Sequence, residues 1–132
     1  MSDTFAHRVR VYWEDTDAGG VVFYVNYLKF FERARTEWLR ARGWGQQALR
    51  DEFGAIFVVL ESRVKHLAPA RLDDELDITV AVDGPGRASL TLAQEARRGD
   101  TLLAEGRITM ACVDAGTFRA RRIPKPVLQS LA

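Results

Sequence analysis

A cluster of carboxylates and glycines stands a few residues ahead of the longest helical pattern in the chain. The acids are Glu14, Asp15 and Asp17, and Gly19 and Gly20 follow them. A helix start presents backbone N–H groups without partners and a positive electrostatic potential. A carboxylate held beside such a start is placed for chemistry on a polar substrate group, and the other elements of the chain must position the two.

Asp17 is the main candidate for a catalytic residue. It lies in a loop between a predicted strand and the helix, and loops held by rigid elements are where functional residues concentrate. An Asp here can act as a nucleophile, or as a general base on a water molecule that attacks a carbonyl. The backbone N–H groups of Tyr24 and Val25 could polarise that carbonyl as an oxyanion hole. The alternative is a purely structural Asx-turn, which the residue types alone favour.

Other polar groups suggest weaker alternatives. A Mg²⁺ or Ca²⁺ site is one alternative for Glu14, Asp15 and Asp17, but these three acids supply few ligands for such an ion. Solvated loop acids are the preferred interpretation, and we predict no metal. His66 ends a predicted strand and is interpreted as a half-exposed histidine rather than an acid or base. Cys112 lies in an apolar strand, which is typical of a small buried hydrophobe.

Basic side chains near the C-terminus and at one turn could bind phosphate groups. The candidates are Arg87, at a predicted turn, and Arg121, in the C-terminal segment. Arg binds phosphate through charge-assisted hydrogen bonds. A solvated surface is the alternative for each residue. The other members of the basic cluster are Arg119, Arg122 and Lys125.

The hydrophobic pattern predicts one long helix. It begins at Asn26, which we interpret as the N-cap, and Gly43 is a natural left-handed stop. Its apolar face carries Tyr27, Phe30, Phe31, Ala34, Trp38 and Ala41. This broad aromatic face suits a helix that lies deep against a sheet, and it is interpreted as core rather than as a ligand cage.

Runs of apolar and largely alternating residues predict five strands. They lie at His7–Trp13, Ala55–Leu67, Leu76–Val82, Ala88–Ala96 and Thr101–Val113. A bulge or bend is expected in the long second strand. Turn residues at Asp83–Gly86 and at Gly99-Asp100 favour hairpins. The tail from Phe118 onward is expected to run over the surface or along an edge.

The element order is a strand, the helix, and four further strands joined mostly by hairpin-like turns. Such hairpins need an antiparallel sheet, and the one long helix is the only available cover for its face. The fold class is therefore α+β, an antiparallel sheet curled around a central helix, in one domain over residues 1–132. A single helix leaves sheet edges open, so we expect a dimer that continues the sheet.

The composition argues against several classes of protein. Lys and Arg total 19 and Asp and Glu total 18, so the net charge of +1 gives no electrostatic case for a nucleic-acid partner. Cys112 is the only cysteine, and the N-terminal segment lacks the apolar core of a signal peptide, so we expect a cytoplasmic protein. No apolar run is long enough for a transmembrane segment. The motifs of nucleotide kinases, dinucleotide oxidoreductases, serine hydrolases and common zinc hydrolases are also missing from the sequence.

The segment VYWEDTDAGGVVFYVNYLKFFERARTEWLR resembles the signature of hotdog-fold acyl-CoA thioesterases of the 4-hydroxybenzoyl-CoA thioesterase type. It is most similar to the Tol–Pal-associated acyl-CoA thioesterase subfamily. The stretches LAPARLDDELDI, GRASLTLAQEA, GDTLLAEGRITMACVD and RARRIPKP are also similar to that subfamily, so the resemblance covers nearly the whole chain. One position departs from it: many members of the subfamily carry His where this chain has Tyr24, whereas the 4-hydroxybenzoyl-type enzymes carry Tyr.

The resemblance implies a hotdog fold in which Asp17 is the catalytic carboxylate and the N–H near Tyr24 polarises a thioester carbonyl. The implied substrate is a short-chain or aromatic acyl-CoA, or an acyl carrier protein thioester, in lipid metabolism. No cofactor is implied, since coenzyme A is part of the substrate, and Arg87 and Arg121 would contact its phosphates. Active sites of this family lie at a subunit interface of a homodimer, commonly paired into a homotetramer.

Two alternatives stay open. A hotdog-fold hydratase or dehydratase acting on acyl thioesters would use a histidine with a carboxylate, and His66 is the candidate for that histidine. A non-catalytic scaffold at the cell envelope would bind an acyl thioester without cleaving it.

Overall fold

The computed structural model describes residues 4–131, apart from the side chain of Pro85. Residues 1–3 and 132, the ends of the predicted domain 1–132, lie outside the described residues. The described chain forms five strands and three helices. In chain order these are β1 Phe5–Arg10, α1 Asn26–Ala41, α2 Gln46–Phe53, β2 Ala55–His66, β3 Glu75–Pro85, β4 Ser89–Arg98, β5 Thr101–Asp114 and α3 Lys125–Ser130.

The strands form one antiparallel sheet in the order β1-β3-β4-β5-β2. The long helix α1 packs against β1 and β3, which confirms the predicted α+β class. The predicted hairpins are confirmed for β3–β4 and β4–β5. β2 forms no hairpin with β3; it pairs with β5 instead, with Ala55 opposite Asp114 and His66 opposite Ala104. β1 and β2 are therefore the two edges of the sheet.

The connection between β2 and β3 crosses the end of the sheet. The Leu67 N–H donates to the Leu103 carbonyl of β5 at 2.8 Å, and six residues later the Asp73 N–H donates to the Val11 carbonyl beyond β1 at 2.9 Å. This crossing carries the chain from one edge of the sheet to the other. It explains why β2 and β3, although consecutive, are not neighbours.

α1 packs a predominantly aromatic face against the sheet. The predicted core residues Tyr27, Phe30, Phe31, Ala34 and Trp38 are confirmed as buried. Ala41, predicted with them, is exposed at the end of the helix. Phe31 approaches β5 so closely that a Cβ on Gly106 would lie 2.9 Å from its ring, so the absence of a side chain there lets helix and sheet meet. Gly43 has φ +85, which confirms the left-handed stop.

β1 is shorter than predicted. It ends at Arg10, and Trp13, which is 83% exposed, begins a single 3₁₀ turn, Trp13–Asp15. The Asp15 carboxylate accepts the N–H of Tyr12 at 2.8 Å. This local hydrogen bond offers the backbone an alternative to the sheet ladder, so the alternating pattern runs past the true end of the strand.

The helix boundaries also differ in part from the prediction. Asn26 is the first helical residue, while Val25 occupies the N-cap position, because the Asn26 side chain donates to Asp15 instead of capping the helix. The helix α2 was not predicted. It is eight residues long and buries only Leu49, which makes its periodic signal weak, and it ends at Gly54 with φ +62.

Two details of the strands follow from the pairing register. The bulge predicted in β2 is confirmed between Val59 and Glu61. β3 runs on through Pro85, which still lies opposite Leu90, so the predicted turn at Asp83–Gly86 begins too early. Cross-strand pairing overrides the turn preference of the local residues.

The C-terminal tail lies on the surface only in part. Ala120 bridges to Val113 of β5, as an edge segment would. The chain then forms α3 and buries Ile123, Val127 and Leu131, so this part of the tail belongs to the core. None of the helices within the described residues is both long and apolar enough to cross a membrane.

Candidate active site

Asp17 lies in a tight hairpin that leads into α1. Thr16 bridges to Val22, and the Asp17 N–H donates to the Val21 carbonyl at 2.9 Å. The carboxylate oxygen Oδ1 accepts the Gly19 N–H at 2.8 Å, while Oδ2 accepts no hydrogen bond from a described residue. The Asx-turn is therefore present, but it occupies one oxygen of an exposed carboxylate and leaves the other available to a substrate.

Two backbone N–H groups at the start of α1 are also available. Within the described residues the N–H groups of Tyr24 and Val25 donate to no acceptor, whereas the N–H of Asn26 donates to the Phe23 carbonyl at 2.8 Å. α1 is 16 residues long, so its aligned peptide dipoles place positive potential at this end. A carbonyl oxygen bound here would meet two donors and a favourable potential.

The three acids of the loop have different environments. Glu14 is exposed, but Asp15 is only 4% exposed, so its interpretation as a solvated acid is wrong. The Asp15 carboxylate accepts the Tyr12 N–H at 2.8 Å and the side-chain amide of Asn26 at 2.7 Å. Asp17 remains exposed. Among residues 4–131, no three His, Cys, Asp or Glu side chains are grouped as a metal site would require.

A cavity of about 290 Å³ opens beside the helix start. Its walls include Val22, Tyr24, Tyr27, His66 and Leu67. The His66 ring packs edge-on against Tyr24 and Tyr27, with ring centroids 6.2 and 5.3 Å away. Burial raises the pKa of the Tyr27 phenol. Sequence reasoning assigned Tyr27 to the core alone; two tyrosines one helical turn apart at a helix start were the available signal that it also lines a site.

The connection between β2 and β3 supports the hairpin that carries Asp17. The Val22 N–H donates to the Ala70 carbonyl at 2.8 Å. The Asp74 carboxylate accepts the Arg71 N–H at 2.9 Å and the Arg98 guanidinium of β4 at 2.8 Å. Burial alone would raise the pKa of the Asp74 carboxyl, but these hydrogen bonds outweigh it and hold the pKa below its usual value. Sequence reasoning missed this support because its partners are far apart along the chain.

Arg87 and Arg121 lie near each other but far from Asp17. The Ile123 N–H donates to the Arg87 carbonyl, and the Arg121 guanidinium donates to the Phe53 carbonyl at 2.6 Å. Both arginines lie at the end of the sheet where β3 finishes, whereas the Asp17 hairpin lies where β3 begins. The length of this strand separates them by roughly 30 Å, so one chain does not bring them into a single site.

Cys112 takes no part in this arrangement. It is buried in β5, which confirms its interpretation as a small hydrophobe. Burial raises the pKa of its thiol, so the reactive thiolate form is disfavoured.

Comparisons with known proteins identify the family of this chain. The family described as "Thioesterase-like superfamily" matches residues 11–131. YbgC of Escherichia coli O6:H1, named an acyl-CoA thioester hydrolase, is 45% identical over 125 residues, covering 94% of this chain and 92% of its own. YbgC of Haemophilus influenzae, named an acyl-CoA thioesterase, is 40% identical over 127 residues, covering 96% and 93%.

A solved structure is similar over nearly the same length. The crystal structure named "Probable Thioesterase from Bartonella henselae" has a TM-score of 0.88 at 30% identity, and the match covers 92% of this chain and 99% of that one. The family match includes the hairpin that carries Asp17, the helix α1 and the strands β2 to β5. The chain therefore belongs to the thioesterase-like superfamily and has its hotdog fold, with the sheet packed around α1.

Proposed function

We propose that this protein is an acyl-CoA thioesterase, which hydrolyses a short-chain or aromatic acyl-CoA to the free acid and the thiol. The observation that carries the proposal is the half-free carboxylate of Asp17 in a hairpin that leads directly to the unpartnered N–H groups of Tyr24 and Val25. The similarity to two YbgC proteins named for this activity supports it. An acyl carrier protein thioester is the alternative substrate, and coenzyme A enters only as part of the substrate.

The chemistry follows from these groups. The thioester carbonyl oxygen accepts hydrogen bonds from the N–H groups at the start of α1, which matter most when that oxygen becomes negatively charged. Asp17 either attacks the carbonyl carbon, giving an acyl anhydride and expelling the thiolate, or takes a proton from a water that attacks instead. In the first route, water then cleaves the anhydride. Both routes end in a carboxylic acid and a thiol, and both require an ionised Asp17.

The cavity beside the helix start is the proposed site for the acyl group. Tyr24, Tyr27 and His66 give it flat aromatic walls. Its volume of about 290 Å³ is room for a short or aromatic acyl group.

We include a homodimer, paired into a homotetramer, in this proposal. β2 is an edge strand of 12 residues that pairs on one side only, with β5. α1 lies mainly over β1 and β3, and Val59 and Leu60 of β2 are exposed. A second copy that adds its own β2 would satisfy this edge and cover these side chains.

Antiparallel pairing of β2 with the partner's β2 would also bring the two ends of the sheet together. His66 ends β2 beside the proposed acyl site, while the Arg121 guanidinium contacts Phe53, two residues before β2 begins. In an antiparallel pair these opposite ends lie side by side. The partner's Arg121, with the partner's Arg87 near it, is thereby proposed to bind the phosphates of coenzyme A.

The test is a panel of short-chain, aromatic and long-chain acyl-CoAs incubated with the purified protein, with free thiol measured over time. We expect turnover that is highest on the short or aromatic members. An acyl carrier protein thioester of the best acyl group tests the alternative carrier. If the protein binds acyl-CoAs but releases no thiol from any of them, the thioesterase proposal is wrong, and a non-catalytic scaffold that binds acyl thioesters takes its place.

One observation favours a second candidate, an acyl-thioester hydratase. His66 lines the cavity, where it could serve as the acid or base that hydration needs. We expect the His66→Gln variant to keep its thioesterase kcat within about threefold, because the proposed mechanism uses Asp17 and not His66. If His66 were the catalytic acid or base, its replacement would lower kcat by about 100-fold or more. Hydration of an enoyl-CoA by the native protein, lost in His66→Gln, would establish the hydratase instead.

A further inference from the structure

Asp15 holds the chain on both sides of the two free N–H groups. Its backbone carbonyl accepts the Phe23 N–H at 2.9 Å, and its Oδ1 accepts the side-chain amide of Asn26 at 2.7 Å. Phe23 directly precedes Tyr24, and Asn26 directly follows Val25. The proposed oxyanion donors therefore lie between two attachment points on a single residue.

Asp15 also controls the chain that leads to Asp17. Its Oδ2 accepts the Tyr12 N–H at 2.8 Å, and its own N–H donates to the Tyr12 carbonyl at 3.0 Å, which closes the 3₁₀ turn ahead of the hairpin. Only Thr16 separates Asp15 from Asp17. One residue thus links the catalytic carboxylate to the start of α1.

The burial of Asp15 makes these hydrogen bonds necessary. A carboxylate that is 4% exposed must have donors in place of water, and no Lys or Arg of the described chain pairs with it. Each oxygen has one donor, from Tyr12 and from Asn26. Loss of the Asn26 amide would leave a buried oxygen without a partner and would release the first residue of α1.

We propose that Asp15 and Asn26 are positioning residues that hold the Tyr24 and Val25 N–H groups in register with the Asp17 carboxylate. This inference rests on the proposed thioesterase function. Oxyanion donors contribute mainly in the transition state, so a loss of alignment lowers kcat and leaves substrate binding largely unchanged.

The first test compares Asn26→Ala with Gln94→Ala. Gln94 is 1% exposed; its amide donates to the Phe31 carbonyl and accepts the buried Arg35 guanidinium, so it ties α1 to the sheet beyond the first turn of the helix. Both variants remove one buried hydrogen-bonded amide from the contact between α1 and its surroundings. We expect kcat on the best acyl-CoA to fall by about 10- to 100-fold in Asn26→Ala, with KM within about threefold. The kcat of Gln94→Ala should stay within about twofold even though its loss of melting temperature should be at least as large, because it also removes the acceptor of the buried Arg35 guanidinium.

The second test exchanges the two side chains in the double variant Asp15→Asn/Asn26→Asp. The amide placed at position 15 can accept the Tyr12 N–H through its oxygen and donate through its nitrogen to the carboxylate placed at position 26. Both hydrogen bonds therefore return with no change in net charge, whereas Asn26→Asp alone sets two carboxylates against each other and removes the donor between them. We expect the exchange to recover most of the kcat that Asn26→Asp alone loses. A double variant no better than the single one would overturn the proposal, as would full kcat in Asn26→Ala.

Amide hydrogen exchange separates this inference from the proposed function. Asn26→Ala should speed exchange at Phe23 and at residues 26–28, and Gln94→Ala should not. If the native protein cleaves no acyl-CoA, the proposed thioesterase function is wrong. Amide hydrogen exchange still measures whether Asp15 and Asn26 order the start of α1. Unchanged exchange at these amides in Asn26→Ala would contradict the positioning role.

Discussion

Two aspartates two positions apart have different roles because their exposure differs. Asp15 is buried and each of its carboxylate oxygens accepts a hydrogen bond, so it can organise the chain but cannot reach a substrate. Asp17 is exposed and keeps one oxygen free. At the scale of single residues, the environment of each carboxylate decides which one is proposed for chemistry.

Replacing Asp17 by Asn is the most direct test of that assignment. The Asn side chain can still accept the Gly19 N–H and keep the Asx-turn, but it is neither a nucleophile nor a base. We expect kcat to fall by about 10²- to 10⁴-fold with little change in melting temperature. The matched control is Glu14→Gln, which removes an exposed charge from the same loop and should keep kcat within about twofold. Near-full turnover by Asp17→Asn would show that the mechanism is wrong.

At the scale of elements, the crossing between β2 and β3 joins the parts of the site. It forms one wall of the cavity and accepts the Val22 N–H of the Asp17 hairpin. Asp74 holds this crossing to Arg98 of β4 and to the backbone of Arg71. The site therefore depends on a connection that contains no regular secondary structure.

The lowered pKa of Asp74 predicts a pH dependence of stability. Its folded pKa lies below the unfolded value, so ionised Asp74 stabilises the protein above the usual Asp pKa, and this contribution is lost as the pH falls through the folded pKa. Asp74→Asn should lower the free energy of unfolding at pH 7, and its difference from the native protein should shrink as the pH falls below about 4. Urea unfolding from pH 7 to pH 3 measures both.

Asp73→Asn is the control for this measurement. Within residues 4–131 the Asp73 carboxylate accepts no hydrogen bond, and Arg10 donates only to the backbone carbonyl of Asp73. The backbone of Asp73 has φ +71, which Asn tolerates well. We expect it to match the native protein across the same range. A constant difference between Asp74→Asn and the native protein at every pH would contradict the role assigned to the Asp74 charge.

At the scale of the whole molecule, β2 is an edge strand with hydrogen-bonding groups that the described part of its own chain does not pair on the outer side. Its bulge near Leu60 exposes an apolar side chain on a strand that has no second neighbour within residues 4–131. Exposed apolar edges favour pairing with another chain.

In the proposed dimer, a charge at this edge should separate the subunits. Leu60 and Phe118 are both 63% exposed, but Phe118 lies in the loop after β5. We expect Leu60→Asp to weaken the dimer at least about tenfold, because an apolar contact becomes a buried charge, whereas Phe118→Asp should sediment like the native protein. If the partner's Arg121 binds coenzyme A phosphates, KM should rise as the dimer dissociates. Unchanged sedimentation of Leu60→Asp would rule out the β2 interface.

The sequence by itself determined the features that depend on neighbouring residues. The aromatic face of α1, its left-handed stop at Gly43, and the hairpin at Gly99 follow from local periodicity and backbone preference, and the structure confirms them. The placement of Asp17 beside a helix start also follows from chain order alone, because only a short loop separates the two.

The tertiary structure alone decided the features that depend on distant residues. The hydrogen bond of Arg98 to Asp74, the pairing of β2 with β5, and the separation of Arg87 from Asp17 each result from contacts between segments far apart in the chain. Hydrophobic periodicity indicates whether a residue faces the protein core, but it does not indicate which strand or loop the residue contacts there. Pairing partners are chosen by the packing of the whole sheet around α1, and that choice places the proposed oxyanion donors, Asp17 and the cavity at one end of the molecule.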